Sequence, residues 1–495
     1  MENKIEKYTY TRSLCMVLYR AVTLEAQGMT LRVEHSISHG QYCRLLRADG
    51  SVVQVNRDLA GRLLRRMRLL VDADFPFLIS VRPKAETIDI FRKEGLTEKI
   101  ELLDTIPGEE VKCYEFDGVL DSYIGDLADS SGQLRVFDLR MYKEGLLLLG
   151  PDPANPAVPV RPVRQAKMYR AFRQSLEFNK VIRVSCAGEL NSVVLNNDTK
   201  MLINVAEAMH NKLLGRISDE IATRHRRGEA SLIMLAGPSS SGKTTTCKRL
   251  AVQLMTNMMS PKMISLDDYF VNRVHTPLDA DGNYDYESLY ALDLKQFNQD
   301  LNDLLAGREI NLPTYSFEKG ERIYKDRPLK LEKDDVLLIE GIHGLNPELT
   351  ASIPKEQVYK VYVSALTSLR LDNHNWISTS DNRLLRRMVR DSKYRGTTPS
   401  QTLERWPSVR RGEEKWIFPF QENADAVFNS SLIFELGVMK DYLEPLLLSV
   451  SPDDPHYAEA MRLADFLGCF LSIPAEQVPA NSLLREFLGG SSFHY

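Results

Sequence analysis

The segment Gly237 to Thr244 reads Gly-Pro-Ser-Ser-Ser-Gly-Lys-Thr, a Gly-x-x-x-x-Gly-Lys-Thr spacing. At that spacing, a turn of successive backbone N–H groups wraps the phosphates of a nucleotide at a helix N-terminus. Gly237 and Gly242 permit the tight backbone, with Pro238, Ser239, Ser240 and Ser241 between them. Lys243 has the reach for the β- and γ-phosphates, the Thr244 hydroxyl is suited to Mg²⁺, and Thr245 completes the nucleotide-binding stretch. The flanks supply the frame that such a loop needs. Ser231 to Ala236 (SLIMLA) reads as a buried strand, and the run from Lys243 (KTTTCKRLAVQLM) reads as a helix.

In a parallel sheet, ligands sit beyond the carboxyl ends of the strands, so the residues that follow each strand carry the chemistry. Asp267 and Asp268 follow the strand KMIS. An isolated Asp-Asp reads as a solvated turn or a helix cap. Beside a phosphate loop, one of the two can accept a proton from an acceptor hydroxyl or help to order Mg²⁺. Glu340 ends the apolar strand VLLIE and is placed to face the metal and its waters, whereas His343 reads as a loop residue. Arg383, Arg387 and Arg390 fall three or four apart on one helical face, with Arg395 just beyond. Such a run is usually a solvated basic helix, but late in a phosphate-binding domain it can close over the nucleotide as a lid. Asp285 offers a carboxylate for vicinal hydroxyls, and Tyr315 and Phe317 offer flat faces for a ring, although the aromatics could equally be core.

The elements that position these residues follow from composition and periodicity. The chain has 495 residues, 43% hydrophobic and 26% charged, enough for several sizeable cores. Its net charge of −4 supplies no global basic field for nucleic acid or an anionic membrane. The amino end has no apolar signal core, no apolar run approaches a bilayer's thickness, and six scattered cysteines form no Cys-x-x-Cys. A reducing cytoplasm is the expected setting. Residues 1–149 read as a mixed α+β domain. Residues 150–228 hold a connector with five prolines between Gly150 and Pro162, followed by a long amphipathic helix with Leu202, Val205, Met209, Leu213, Ile217 and Ile221 on one face. Over 229–435, strands alternate with helices, the pattern of a doubly wound parallel α/β sheet. Residues 436–495 read as a helical tail up to LGGSSFHY.

The segments GPSSSGKTT, SLDDYF, NYDYESLYALD, LPTYSF, LIEGIHG and RLLRRMVRDSKYRG occur in that order from about Ser231 to Ile433. In this the domain resembles the uridine kinase-like family of P-loop kinases, which includes phosphoribulokinase. The resemblance implies ATP and Mg²⁺ as cofactors and a nucleoside or similar small hydroxyl compound as acceptor. It implies Asp267 as the acceptor-activating base, Asp285 on the ribose hydroxyls, Tyr315 and Phe317 around the base, and Arg387, Arg390 and Arg395 in the lid. Two positions depart from the family pattern. Gly320 stands where uridine kinases carry a base-reading histidine, and Thr397 stands at a second lid-arginine position.

From about Arg32 to Leu149, HSISHGQYCRLL, RLLRRMRLLVDADFPF, AETIDIFRKEG and SGQLRVFDL resemble the second additional, editing domain of threonyl-tRNA synthetases. The spacing of His35 and His39 would suit zinc on a helix, but HSISHGQYC alternates like a strand running into a turn. The segments matching the synthetases' metal ligands, SLCMVLYRAVTLEA and DSYIGDLADSSGQL, contain no histidine. The expectation is therefore an ATP-dependent kinase of a uridine- or cytidine-like nucleoside, fused to a leader with a regulatory or docking role and no catalytic metal. The alternatives are an RNA-binding, translation-linked regulator with a nucleotide-switch domain, or a kinase of another small hydroxyl substrate. Nucleic acid is admitted as a partner but not favoured, a membrane is not expected, and an oligomer is left open.

Overall fold

The computed structural model describes residues 5–279 and 282–494. The chain divides into two units, each assembled from three stretches of sequence.

The first unit runs to Leu202 and adds Thr367–Asn382 and Ile433–Ile473. Helix α1 (Lys7–Glu25) is capped by the Glu6 carboxylate, which accepts from the Tyr8 and Thr9 amides. Its stretch Leu14–Leu18 is buried throughout, so this helix is core rather than surface. Strands β1 (Met29–Ile37) and β2 (Gly40–Arg47) form a hairpin whose turn residues, Ser38 and His39, both have positive φ, the geometry that matches a two-residue hairpin to strand twist. Helix α2 (Arg57–Asp72), strand β3 (Leu78–Pro83), helices α3 (Lys84–Lys93) and α4 (Thr97–Thr105), and strands β4 (Glu110–Phe116), β5 (Val119–Asp121), β6 (Asp138–Tyr142) and β7 (Gly145–Leu149) follow. They make two antiparallel sheets, ordered β1-β2-β7-β6 and β3-β4-β5. Helices α5 (Ala166–Ile182) and α6 (Ala187–Leu195) come after the proline-rich stretch, and all but the first four residues of α7 (Thr199–His225) belong to the second unit.

His35 lies in β1 with its ring stacked on Phe172 at 3.1 Å between centroids, while His39 sits exposed in the turn. Burial pushes the His35 pKa down to about 3, which keeps the imidazole neutral. The unit also buries a charge network that joins distant stretches of chain. Arg370 donates to Glu34 at 3.0 Å and to Glu98 at 2.9 Å, and Lys99 bridges Asp121 at 2.9 Å and Asp372 at 3.0 Å. His374 Nδ1 lies 2.7 Å from Asp121, with both side chains fully buried.

The second unit comprises Ile203–Leu366, Arg383–Leu432 and Pro474 onward. Strand β8 (Leu232–Ala236) leads to helix α8 (Lys243–Thr256) and strand β9 (Ser260–Ser265). Helix α9 (Leu294–Leu305), the hairpin β10 (Ile310–Ser316) and β11 (Glu321–Leu329), and strands β12 (Asp335–Glu340) and β13 (Val358–Ser364) come next. Helices α10 (Thr379–Arg395) and α11 (Pro399–Trp416) precede β14 (Ala426–Asn429). The sheet order is β14-β13-β8-β12-β9, with every pairing parallel. Strands β8, β12 and β13 carry short, largely buried runs, whereas β9 buries only Ile264, and the segments between the strands supply the crossovers that parallel pairing requires. The carboxyl-terminal region differs from a continuous helical tail. Helices α12 (Glu435–Leu448) and α13 (Tyr457–Gly468), which belong to the first unit, form, but from Cys469 the chain is irregular apart from one 3₁₀ turn and the four-residue α14 (Arg485–Leu488). Pro474 and Pro479 cannot donate to a helical ladder, and Gly489 and Gly490 take positive φ. No helix among the described residues is long and apolar enough to cross a membrane.

Candidate active site

The loop between β8 and α8 has the strand–turn–helix form that phosphate binding requires. A Cβ on Gly237 would lie 2.1 Å from the Val363 carbonyl oxygen of β13, so only glycine fits between loop and strand. Ser240 and Gly242 have φ of 58° and 80°, the left-handed steps that tighten the loop ahead of Lys243, the first residue of α8. The Lys243 ammonium folds back onto the Pro238 carbonyl at 3.1 Å.

Parallel register sets the acids beside this loop. Glu340, the last residue of β12, pairs with Ser265 of β9 on one side and Leu235 of β8 on the other. It accepts from Ser265 Oγ at 3.2 Å and from Thr244 Oγ1 at 3.4 Å. Asp267 and Asp268 occupy the 3₁₀ turn after β9 but do different work. Asp268 accepts from the Tyr315 amide at 3.3 Å and from Arg327 at 3.4 Å, which ties it to the β10–β11 hairpin. The Asp267 carboxylate makes no hydrogen bond among the described residues. Asp267 is solvent-exposed as a residue, yet its carboxylate is crowded by protein on the floor of the site. That desolvation raises its pKa and Asp268 adds to the rise, while Lys243, Arg395 and Arg390 pull it down. Burial and the Asp267 charge likewise raise the pKa of Glu340. Hydroxyl and carboxylate oxygens from Thr244 and Glu340 form the hard, all-oxygen set that suits Mg²⁺.

Of the five arginines of α10, the four that the sequence pattern singled out divide. Arg383, expected on the same face as Arg387 and Arg390, is instead buried; both Glu413 oxygens accept from it at 2.7 and 2.6 Å, and it lies 5.3 Å from the Trp406 ring. A buried guanidinium whose Nη2 is held between both oxygens of Glu413 braces structure rather than facing the open site. Arg387 donates to Asp391 at 3.1 Å and to Ser239 Oγ of the loop at 3.0 Å. Arg390 lies 3.7 Å and Arg395 3.2 Å from the same Asp391, so these three guanidinium groups gather around one acid beside the loop.

Tyr315 and Phe317 come together at 5.1 Å, and Phe270 joins both, at 5.5 and 6.1 Å. Tyr315 is buried, whereas Phe317 is exposed. Asp285 accepts from the Glu287 amide at 3.2 Å, and its neighbour Tyr286 packs edge-on against Phe270 at 6.4 Å. Gly320 closes the β10–β11 turn with φ of 70°, and a Cβ there would meet the Arg273 side chain at 2.7 Å. Arg273 therefore lies directly against the turn at Gly320.

Several residues at this site left no signal in the sequence reading. Glu413 also accepts from the Ser239 amide at 3.0 Å, and Arg386 donates to Ser430 O at 2.9 Å and Ser240 O at 3.4 Å, so both brace the loop from outside its motif. Glu287 has one buried oxygen with no hydrogen-bond partner among the described residues. Burial and the nearby Glu413 raise its pKa to about 7, against the pull of Arg387 and Lys243. Only the adjacency of Arg386 to Arg387 could have pointed to any of the three.

Residues 232–433 match the model of the phosphoribulokinase/uridine kinase family. This part of the chain is a domain of that family. Over 200 residues, the chain is 27% identical to a uridine kinase of Macrococcus caseolyticus, which covers 40% of this chain and 87% of the relative. A uridine kinase of Staphylococcus aureus is 26% identical over 198 residues, 40% of this chain and 86% of the relative. Among solved structures, D-glycerate 3-kinase from Cryptococcus neoformans var. grubii aligns at 13% identity over 57% of this chain and 90% of its own, with a TM-score of 0.25, too low to carry an argument. The kinase-family domain thus contains the loop, the acids, the arginine helix and the aromatic group described above.

Proposed function

We propose that the protein is an ATP- and Mg²⁺-dependent kinase that phosphorylates a nucleoside hydroxyl, with Asp267 as the base. The observation that carries this reading is the division of labour among three acids. Asp268 and Glu340 are held by hydrogen bonds, while the Asp267 carboxylate faces the Lys243 charge with its oxygens uncommitted. The loop N–H groups and Lys243 hold the nucleotide's phosphates and set the γ-phosphorus in line with the acceptor oxygen. Asp267 takes the hydroxyl proton as the new O–P bond forms and the bond from the γ-phosphorus to its bridging oxygen breaks, which releases ADP. Arg387, Arg390 and Arg395 offset the charge on the transferred group. Mg²⁺, when bound, neutralises phosphate charge, and Thr244 and Glu340 are the residues suited to hold it.

Asp285 suits vicinal ribose hydroxyls, and Tyr315 and Phe317, with Phe270, suit a base. Glycine at position 320 leaves base reading to Arg273 and to shape, so discrimination among bases should be modest. The first unit is read as a synthetase-like module with a docking or regulatory role. A coupled ADP-release assay across uridine, cytidine, adenosine, guanosine and sugar phosphates tests the acceptor class. Acceptor-dependent turnover with nucleosides is expected; turnover with sugar phosphates alone would refute it.

A further inference from the structure

The carboxyl-terminal stretch of the second unit places an acid on the phosphate loop. Glu486 Oε2 accepts from Thr245 Oγ1 at 2.6 Å and from the Thr245 amide at 3.2 Å. Thr245 is the third residue of α8, and its N–H is one of the first-turn donors that a helix after such a loop turns toward phosphate. A carboxylate oxygen from the chain itself therefore takes the place of a phosphate oxygen. The same charge raises the pKa of Glu340 and acts on Lys248 and Arg390, so Glu486 lies within the field of the site.

The segment that carries Glu486 is built to present it. Arg485 donates to the carbonyls of Ala475 at 2.8 Å and Val478 at 2.6 Å, which folds residues 475–485 into a self-bound knuckle. Leu483 packs over Gly242, where an added Cβ would meet its side chain at 2.7 Å. Phe487 is buried 5.3 Å from the Arg386 guanidinium, and the Leu488 carbonyl accepts from Lys393. These apolar and backbone contacts anchor the knuckle at both ends of Glu486. The acidic side chain is the part that can turn away without unpacking the segment.

We infer that Glu486 is an internal competitor of the nucleotide's phosphates, so that ATP binds only as this carboxylate leaves Thr245. The inference rests on the proposed nucleotide site. A carboxylate and a phosphate oxygen cannot share one N–H and one hydroxyl at hydrogen-bond distance without like-charge repulsion. The chain thereby sets its own ATP affinity below what the loop alone would give.

Calorimetric titration of the full chain with Mg-ATP, tripolyphosphate and adenosine provides the test, using wild type, Glu486→Ala, Glu486→Gln and, as a packing control, Leu483→Ala. Glu486→Ala should bind ATP and tripolyphosphate about tenfold more tightly than wild type, a difference of about 1.4 kcal/mol, with Glu486→Gln in between. Adenosine affinity should not change, because adenosine presents no phosphate. Leu483→Ala should not reproduce the selective gain for tripolyphosphate. Equal or weaker ATP binding by Glu486→Ala would overturn the inference while leaving the kinase reading intact. Failure of wild type and every variant to bind ATP would overturn both.

Discussion

Replacing Asp267 with Asn keeps the shape of the side chain and removes its ability to take a proton. Neighbouring acids cannot substitute. Asp268 is committed to the Tyr315 amide and Arg327, and Glu340 to Thr244 and Ser265. The full effect of losing a general base should therefore appear, about 10²- to 10⁴-fold in kcat, or about 2.7–5.5 kcal/mol in the barrier. ATP affinity should stay within about threefold of wild type, because the loop donors are untouched and loss of a negative charge near Lys243 does not oppose phosphate. The pH profile adds a second signature. Burial raises the Asp267 pKa, so wild-type kcat should rise with pH as the carboxylate ionises, and the variant should lose that limb. Stopped-flow or coupled assays at saturating acceptor, paired with ATP titrations, measure both quantities. Lys243→Ala should instead weaken ATP binding and turnover together. A kcat within about threefold of wild type in Asp267→Asn would refute the assignment, and an equal loss in ATP affinity would make the residue structural.

Glu287→Gln should alter how stability depends on pH. The Glu287 pKa rises from 4.5 to about 7 on folding, so its favourable contribution is complete below about pH 4.5 and is lost as pH climbs to 7. Thermal melts from pH 5 to 8 should show a decline in wild type, at most about 3 kcal/mol, that is shallower in the variant; parallel curves would show that Glu287 pairs more fully than its geometry indicates. Arg370→Met leaves Glu34 and Glu98 buried without their shared partner, and urea unfolding should register a loss of about 3–5 kcal/mol in the first unit; a change below about 1 kcal/mol would mean that the acids take up protons at little cost. Gly237→Ala should cost about 1–3 kcal/mol and weaken ATP binding, since the new methyl meets the Val363 carbonyl rather than a movable side chain; unchanged urea midpoint and affinity would refute that.

The sequence by itself determined the strand–turn–helix frame of the phosphate loop, the parallel alternation of strands and helices, and the presence of acids just past β9 and at the end of β12. These are local facts, because glycine spacing, apolar runs and strand-end position act within a few residues of chain. The strand running into a turn at HSISHGQYC was legible for the same reason, and the structure puts that turn at Ser38 and His39. Only tertiary structure decided which member of each cluster is committed elsewhere. Helical spacing put Arg383 with Arg387 and Arg390, but Glu413, thirty residues on, claims it. Asp267 and Asp268 differ because a hairpin nearly fifty residues later supplies partners to one of them. Arg370 meets Glu34 and Glu98 across 336 and 272 residues, and Glu486 reaches Thr245 across 241. Charge pairing has no periodicity that a linear pattern can carry. It depends on which distant side chains the packed core brings within about 3 Å, in surroundings dry enough to make the pairing decisive.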